Sequence, residues 1–540
     1  MLGDGLVLQE PADDNGLMLF FAGQNPALSG ILYGSYPAAM ADTGTYAFLS
    51  ASLTKPERAA PTGFELPGML AVTYPAQNAK IYTEQLYIMG SSDPAAPLLL
   101  DGAEVPADNR AKGGSFGVAV ELAEGENSFT FTQGDTSVTL KVQKATAAGG
   151  TAPTYPQDHT HEAKAGQVIK VVSQIASALT VPGDLSAINE TLPTGATFVA
   201  AGSTRIRRGG YTSWAYQMPS GDWVQAVNCV WLNGDGKSAF TGITVTADAE
   251  KRGEWLDFEG AGSPAAYISY NNDTGALALT FYDTQLSVPD GFSSQYVERA
   301  EVAPGEKGAT VLTLHTRNLW GYNIEYGENS TRLFLKGVPR LSDNPAKPLL
   351  GVRVMLDPGH GDTDIGAPGI MGDIGPNEKH LNLAQAQAIA YRLEQLGATV
   401  LMTRDGDVFY ELEERLAMQN EQKPDFFLAV HHNSVELDRD RSGAKGLEAY
   451  YYHPYNTPPS KGFAQNLVDR ISAESGRTKR KDADYNYFYV TRSTVCPSVL
   501  FEYGFVVSPG EFEDIISTDS LYTVAFATVE ALIETIPNSV

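Results

Sequence analysis

The sequence predicts a multi-domain protein in which N-terminal all-β modules precede a C-terminal α/β domain, whose mostly parallel sheet is flanked by helices. The chain has 540 residues, several times the roughly 100–150 residues of a common domain. Its 53 glycines and 31 prolines indicate many turns, as in β-rich modules. From Gly351 onward, apolar strands alternate with helical stretches, which is typical of an α/β domain.

Composition excludes several classes of protein. The net charge of −26, from 38 basic and 64 acidic side chains, argues against a nucleic-acid binder and against attraction to anionic membranes. No apolar run approaches the length of a membrane span, and Met1–Asp4 lacks the features of a signal peptide. We therefore expect either a cytosolic protein or one whose export signal has been removed. Cys229 and Cys496 are too few for a disulfide framework, and we expect each to be a small buried hydrophobe.

The N-terminal part of the sequence divides into segments that differ in composition and in the alternation of apolar and polar residues. Residues 1–66 are rich in Gly, Ala, Pro and Tyr and are interpreted as a leader of unclear structure. Alternating segments separated by turn residues predict a β-sandwich of immunoglobulin type over 67–144. Its predicted strands are Leu70–Tyr74, Lys80–Met89, Phe116–Leu122, Ser128–Thr132 and Ser137–Val142. Residues 145–164 are predicted to be a linker.

Two further β modules follow. Residues 165–250 contain the pattern Leu-Pro-x-Gly-x-x-Phe at Leu192–Phe198 and the segment Ser220–Val224, which together resemble bacterial SH3-like barrels. Residues 251–338 are a second all-β block that resembles the AMIN module, a β-sandwich. Residues 339–350 are predicted to be the hinge into the α/β domain, 351–540.

The α/β domain places polar residues at the ends of its predicted strands. His360 follows the first strand in Asp357–Gly361, Glu378 begins the first helix, and His431 and His432 follow the strand Phe426–Val430. Open α/β sheets bind ligands at the carboxyl ends of their strands. Two imidazoles and a carboxylate suit Zn²⁺ with one position left open, so a hydrolytic metal site is predicted.

A further carboxylate belongs to the same sheet edge. The strand Ser498–Phe501 is followed directly by Glu502. A carboxylate near zinc that does not ligate it can take a proton from water and pass it to a leaving nitrogen. This arrangement predicts amide hydrolysis.

Five motifs in order resemble the zinc-dependent N-acetylmuramoyl-L-alanine amidases of the Amidase_3 family, over roughly 351–536. The motifs are Asp357–Gly361, Asn377–Lys379 with Leu381–Leu383, Thr403–Asp407, Ala429–Ser434 and Pro497–Phe505. The resemblance implies that one Zn²⁺ is bound by His360, Glu378 and His431, and that Glu502 is catalytic. It also implies that the substrate is peptidoglycan, cut between N-acetylmuramic acid and L-alanine.

Given that substrate, we expect an extracytoplasmic, monomeric wall hydrolase of bacterial type that has no nucleic-acid partner. Asn433, Arg480 and Lys481 are candidate substrate-binding residues. The alternatives are another zinc-dependent wall peptidase, such as a carboxypeptidase, and a non-catalytic wall-binding protein on an amidase fold.

The sequence departs from the family pattern in three places. Gly361-Asp362 replaces a Gly-Gly pair, an expanded loop at Gly369–Pro376 precedes Glu378, and Val506–Ser508 replaces Ile-Ser-Asn. None of these removes a ligand. The segment between His431 and Leu447 is too short for the self-inhibitory helix of some relatives, so an ungated site is predicted.

Several residues have competing interpretations. Neighbours on a strand point to opposite faces, so only one of His431 and His432 can face a metal, and the match to His-x-Asn favours His431. His380 is expected to be solvated or to support a ligand, and His159 with His161 to form an exposed linker pair. The basic cluster at 477–481 is equally an exposed solvated loop or a patch for an anionic muropeptide. The tryptophans are expected to be mostly core, with one or two free to stack on sugar rings.

Overall fold

The computed structural model describes residues 61–145, 156–452 and 459–537, and the backbone of three strands that precede them. These three strands pair in one antiparallel sheet and are β1 (Met18–Ala22), β2 (Ile31–Tyr33) and β3 (Thr45–Ala47). Most of the predicted leader and half of the predicted linker, residues 146–155, lie outside the described residues.

The first β module has two sheets around one apolar core that includes Leu86, Ile88, Phe116 and Phe131. Its strands are β4 (Ala71–Tyr74), β5 (Ala79–Ile81), β6 (Gln85–Ser91), β7 (Leu99–Leu100), β8 (Ala103–Glu104), β9 (Phe116–Glu121), β10 (Gly125–Gln133) and β11 (Thr136–Lys144). The sheet orders are β5-β11-β10-β7-β8 and β4-β6-β9. The predicted single strand Lys80–Met89 is wrong, because β5 and β6 belong to different sheets.

The second module also has two sheets, β15-β12-β19 and β14-β13-β18-β17-β16. Its strands are β12 (Val168–Val171), β13 (Ile175–Leu179), β14 (Ile188–Pro193), β15 (Thr197–Val199), β16 (Gly202–Arg208), β17 (Tyr211–Gln217), β18 (Trp223–Gln225) and β19 (Cys229–Leu232). Residues 156–164, predicted as linker, pack on this module. The Asp158 amide donates to the Thr212 carbonyl at 3.0 Å, and Thr160 is buried beside Ser213.

The third module corrects a predicted boundary. Its strands are β20 (Ser238–Asp248), β21 (Gly253–Ala261), β22 (Ala266–Asn271), β23 (Ala276–Phe281), β24 (Thr284–Leu286), β25 (Val297–Pro304), β26 (Thr310–Thr316), β27 (Leu319–Tyr326) and β28 (Thr331–Gly337). They form the sheets β24-β20-β21-β28-β27 and β22-β23-β26-β25. A boundary between 250 and 251 would cut the β20–β21 hairpin, which pairs along its whole length. The second module therefore ends before Ser238.

The C-terminal domain alternates strands and helices from residue 353. Its elements are β29 (Arg353–Pro358), α1 (Glu378–Gln395), β30 (Thr399–Met402), α2 (Leu412–Gln422), β31 (Phe426–Asn433), β32 (Glu448–Tyr451), α3 (Pro459–Ser475), β33 (Asp484–Tyr485), β34 (Ser498–Phe505), α4 (Pro509–Ile516) and α5 (Thr518–Thr535). The helix α4 is short and was not predicted from the sequence. It begins with proline at its first position, where the missing N–H costs nothing.

The sheet order in this domain is β30-β29-β31-β34-β32-β33. The strands β29, β30, β31 and β34 are parallel, whereas β32 is antiparallel to β34. The central strands are buried along almost their whole length, which explains their nearly continuous apolar sequence. The carboxyl ends of β29, β31 and β34 consequently lie side by side.

The third module and the C-terminal domain share one hydrophobic core. The buried Trp320 ring packs edge-on against Phe426 at 5.4 Å, and its Nε1 donates to the Asp425 carbonyl at 2.6 Å. Trp320 is therefore a core residue, as expected for most of the tryptophans. In the part of the chain that the structure describes, no helix has the length and apolar character that a bilayer span requires.

Candidate metal centre

His360 lies in the turn that follows β29. Its backbone has a φ of 63°, a left-handed conformation that places the imidazole back over the strand end. Its Nδ1 lies 2.8 Å from Asp364 Oδ2, and its Nε2 lies 3.1 Å from Glu378 Oε1. Asp364 was not singled out in the sequence. A carboxylate four residues after a candidate histidine ligand was the available signal, since such partners fix a ligand's orientation.

Glu378 is the first residue of α1, after the capping residue Asn377. Its carboxylate is buried and lies at the centre of the cluster. Oε1 is 3.1 Å from His431 Nδ1, and Oε2 accepts the Ala367 amide at 2.8 Å. His380, the third residue of the helix, accepts the Asn377 amide through Nδ1 at 3.4 Å, so it supports the start of the helix.

His431 and His432 point to opposite faces of β31, as their positions on a strand require. His431 reaches Glu378 and the cavity described below. His432 is buried, and its Nδ1 lies 2.8 Å from Asn382 Oδ1. Burial lowers the pKa of His432 to about 3, so it remains neutral in the core. Of the two candidates, the structure brings His431 to the cluster.

The donor set fits a zinc ion. The ligand atoms of His360, Glu378 and His431 all lie within 4.8 Å of one another. Tetrahedral zinc with bonds of about 2.0–2.1 Å separates its ligand atoms by about 3.3 Å, close to the two 3.1 Å separations from Glu378 Oε1. Two imidazoles and one carboxylate leave a fourth position toward the cavity, as catalytic zinc sites do.

The charges within the cluster are coupled. Burial opposes ionisation of Glu378, but hydrogen bonds and charge from His360 and His431 hold its pKa well below the usual range. Burial also lowers the pKa of His360, yet Glu378 and Asp364 outweigh this effect and raise it overall. A carboxylate that stays ionised between two imidazoles is suited to a divalent cation.

Glu502 lies beside this cluster on β34, paired in register with His431 on β31 and with Glu448 on β32. Its Oε2 is buried and has no hydrogen-bond partner among the described residues. Burial, followed by the charges of Glu378 and Glu448, raises the pKa of Glu502 well above its usual range. A carboxyl group with one buried oxygen that lacks a partner is a functional candidate, because buried polar atoms are costly to leave unpaired.

Two buried arginines hold the turn that carries His360. Arg404 donates to the Gly359 carbonyl at 2.8 Å, and Arg415 donates to the His360 carbonyl at 2.9 Å and to Asp357 Oδ1 at 2.7 Å. Arg415 stands outside the five motifs. An arginine in one of the predicted helical stretches gave no signal by itself, because helical arginines are mostly exposed.

A cavity of about 340 Å³ opens over the cluster. Its lining includes Phe409, Tyr410 and Leu412 together with residues 488–490. Asn433 lines the floor and donates through Nδ2 to Glu448 Oε2 at 2.5 Å. The described segment 434–446, after Asn433, has no helix.

Most of the basic cluster at 477–481 is exposed or half-buried, and only Arg477 is buried. Arg477 is buried and donates to the Tyr503 carbonyl and to Ser520 Oγ, both at 2.6 Å. Arg480 pairs with Glu448 at 3.2 Å, and Lys481 with Asp484 at 3.2 Å. The expectation of a solvated cluster is wrong for Arg477, since buried acceptors surround its guanidinium. Arg480 and Lys481 are not among the residues that line the cavity.

The structure also shows how far the two cysteines, His159, His161 and Trp231 are exposed. Cys496 is buried and Cys229 half-buried, and neither is in a disulfide. His159 and His161 are exposed. Trp231 is 44% exposed, and its Nε1 donates to the Tyr216 hydroxyl at 3.1 Å.

The C-terminal domain of this chain is similar to known proteins. The N-acetylmuramoyl-L-alanine amidase family (Amidase_3) matches residues 354–534. The chain is 30% identical over 240 residues to the N-acetylmuramoyl-L-alanine amidase LytC of Bacillus subtilis, which covers 43% of this chain and 47% of LytC. The chain thus spans about half the length of that relative. It is also 30% identical over 187 residues to YqiI, an uncharacterized B. subtilis protein, covering 35% of this chain and 86% of YqiI.

A solved structure is similar over the same region. The catalytic domain of CwlV, an N-acetylmuramoyl-L-alanine amidase from Bacillus (Paenibacillus) polymyxa, is 32% identical in sequence, with a TM-score of 0.31. The match covers 34% of this chain and 97% of that domain. From the family match and the coverage of YqiI, the chain belongs to the N-acetylmuramoyl-L-alanine amidase family (Amidase_3).

Proposed function

We propose that the protein is a zinc-dependent peptidoglycan amidase that cleaves the bond between N-acetylmuramic acid and the L-alanine of the stem peptide. The observation that carries the proposal is the pairing of a His-Glu-His cluster with the half-buried Glu502, whose Oε2 is buried and has no hydrogen-bond partner among the described residues. Membership of the amidase family supports the choice of bond.

His360, Glu378 and His431 would hold the ion. When bound, zinc supplies a Lewis acid that polarises the substrate carbonyl and makes water more acidic. Asp364 orients His360 through Nδ1, and the Ala367 amide orients Glu378 through Oε2. These contacts leave His360 Nε2 and Glu378 Oε1 directed at the centre of the cluster.

Glu502 would move the proton. Its carboxylate takes a proton from the attacking water as the new C–O bond forms at the lactyl carbonyl. It then gives this proton to the nitrogen of L-alanine as the C–N bond breaks, and the peptide leaves with a free amine. The burial that raises the pKa of Glu502 suits a group that must hold a proton between these two steps.

The walls of the cavity would position the substrate. The rings of Phe409, Tyr410, Phe488 and Tyr489 flank the opening, and aromatic faces pack well against sugar rings. Asn433 offers an amide at the floor. Arg480 pairs with Glu448, whose other oxygen accepts from Asn433, and Lys481 pairs with Asp484. Neither basic residue lines the cavity, so each would contact substrate only outside it. Action on peptidoglycan implies that the protein works outside the cytoplasm.

Digestion of purified sacculi by the full chain tests the proposal. Mass spectrometry of the products should find peptides with a free L-alanine amine. Activity should disappear after zinc is removed with a chelator and return when zinc is added. The Glu502→Gln variant should lose about 10²–10⁴-fold in rate yet bind zinc as well as the wild type does.

A matched control is Glu436→Gln, which removes an exposed carboxylate on the segment after Asn433 and should keep full rate. Peptides shortened at the carboxyl end would instead identify a carboxypeptidase. Absence of both zinc and released peptide would contradict the proposal in favour of a non-catalytic binding protein.

A further inference from the structure

The first β module packs against the loop that supports the metal ligands. We define residues 364–377 as the ligand loop. We infer that docking of this module holds the ligand loop in the conformation that orients His360 and Glu378, so that Thr73 and Glu513 are positioning residues for the metal site. The inference rests on the proposed metal site, although its readout is metal affinity rather than catalysis.

The ligand loop contacts two of the three proposed ligands. Asp364 Oδ2 holds His360 Nδ1 at 2.8 Å, and the Ala367 amide donates to Glu378 Oε2 at 2.8 Å. Gly366 has a φ of 64°, and a Cβ placed there would lie 2.6 Å from Glu378 Oε2. The loop backbone therefore runs directly against the ligand carboxylate, and a small shift of the loop would change its orientation.

Three residues after Ala367, the ligand loop enters the interface with the first β module. Ile370 and Met371 are fully buried in a cluster with Tyr87 and Met89 of that module. The hydroxyl of Thr73 donates to the Ile370 carbonyl. The loop is longer than the family pattern, and its apolar residues would face water without the module. The expanded loop at Gly369–Pro376 thus contacts the first β module, which gives the expansion a structural role.

The same module contacts the segment on the other side of the cluster. The Tyr87 amide donates to the Leu437 carbonyl at 3.0 Å, and Asn109 Nδ2 lies 3.2 Å from Asp440 Oδ1. Leu437 follows His431 and Asn433 by only a few residues. The module therefore holds segments connected to both histidine ligands.

A third contact fixes the module to α4, the helix after β34. Glu513 Oε2 accepts the Gly113 amide at 2.6 Å, and Oε1 accepts the amide and hydroxyl of Ser115 at 3.0 and 2.7 Å. A carboxylate that accepts three hydrogen bonds from one loop is a specific attachment point. Thr73 and Glu513 make no contact with the cluster itself, so they can be changed without touching a ligand.

The test compares full-length proteins that are stripped of metal and titrated with Zn²⁺ in competition with a chromophoric chelator. The double variant Thr73→Val/Glu513→Ala should bind zinc about tenfold more weakly, at the lower end of the loss seen when supports of metal ligands are removed. Hydrogen exchange at the Ala367 and Ile370 amides should become faster. Glu513→Gln, which keeps one acceptor oxygen, should recover part of the affinity.

The matched control is Thr139→Val/Glu126→Ala, on the part of the same module where Thr139 meets Thr130 and Glu126 meets Lys141. It should leave zinc affinity unchanged. A second variant, Met371→Asp, places a charge in the buried interface and must undock the loop. Unchanged affinity in both docking variants would overturn the inference.

The outcomes for the wild-type chain keep the two proposals apart. Tight zinc binding that weakens in the docking variants, together with no release of peptide from sacculi, would contradict the proposed function and support the inference. Failure of the wild-type chain to bind zinc would overturn both.

Discussion

Gly359 leaves the space that the imidazole of His431 fills. A Cβ at this position would lie 2.1 Å from His431 Cε1 and 2.3 Å from its Nε2, so the ring would have to move. Gly359→Ala should therefore weaken zinc binding by tenfold or more, as measured by chelator competition. Gly443→Ala is the control, because a Cβ there meets nothing within 4 Å. Equal zinc affinity in the two variants would contradict the placement of His431.

Protonation of His360 should compete with the metal. Burial lowers the pKa of His360, but Glu378 and Asp364 raise it overall. In the metal-free chain, the protonated imidazole thus stabilises the fold below its unfolded pKa, and this gain is lost as the pH rises through the folded pKa. Zinc needs the neutral imidazole, so its affinity should fall about tenfold per pH unit below the raised pKa for each proton displaced. Zinc titrations at a series of pH values would show this, and a flat profile would exclude it.

At the scale of elements, α2 is connected to the end of β29 through Arg415. Its guanidinium contacts Asp357 Oδ1 at 2.7 Å and the Pro358 carbonyl at 2.8 Å, and both side chains are buried. Arg415→Met should lower the free energy of unfolding by about 3–5 kcal/mol, since it leaves a buried carboxylate without its cation. Urea denaturation of this variant, beside the exposed Arg439→Met, measures the effect. A loss no larger than that of Arg439→Met would show that the pair is not stabilising.

The strands and helices of the C-terminal domain were predictable where a single local rule determines the structure of a segment. The strand β31, which begins at Phe426, and the helix α1, which begins at Glu378, agree with the predictions from the sequence, because buried parallel strands need apolar runs and helices need a cap. The hydrogen bonds from Arg404 and Arg415 to the turn that carries His360 were not predictable. Whether an arginine is buried depends on which carbonyl groups the fold brings to it.

At the scale of the molecule, the third module is joined to the C-terminal domain by a buried ion pair. Lys336 Nζ lies 2.9 Å from Asp425 Oδ1, and both side chains are at most 1% exposed. Lys336→Met should destabilise the protein by about 3 kcal/mol, measured as a shift in the urea midpoint. The control is Lys141→Met, whose partner Glu126 is exposed and whose loss should cost less than about 1 kcal/mol. Similar shifts in both variants would mean that the ion pair does not hold the domains together.

The sequence by itself determined most of the alternation of strands and helices in the C-terminal domain, though not α4, and the candidate residues His360, Glu378 and Glu502 with the pair His431 and His432. Those features follow from local periodicity and from polar residues placed after apolar strands. Only the tertiary structure decided that β20 belongs to the third module, that Arg477 is buried, and that the expanded loop before Glu378 docks on the first β module. The reason is physical: pairing, burial and docking depend on which distant segments meet, and no local pattern of residues contains that information.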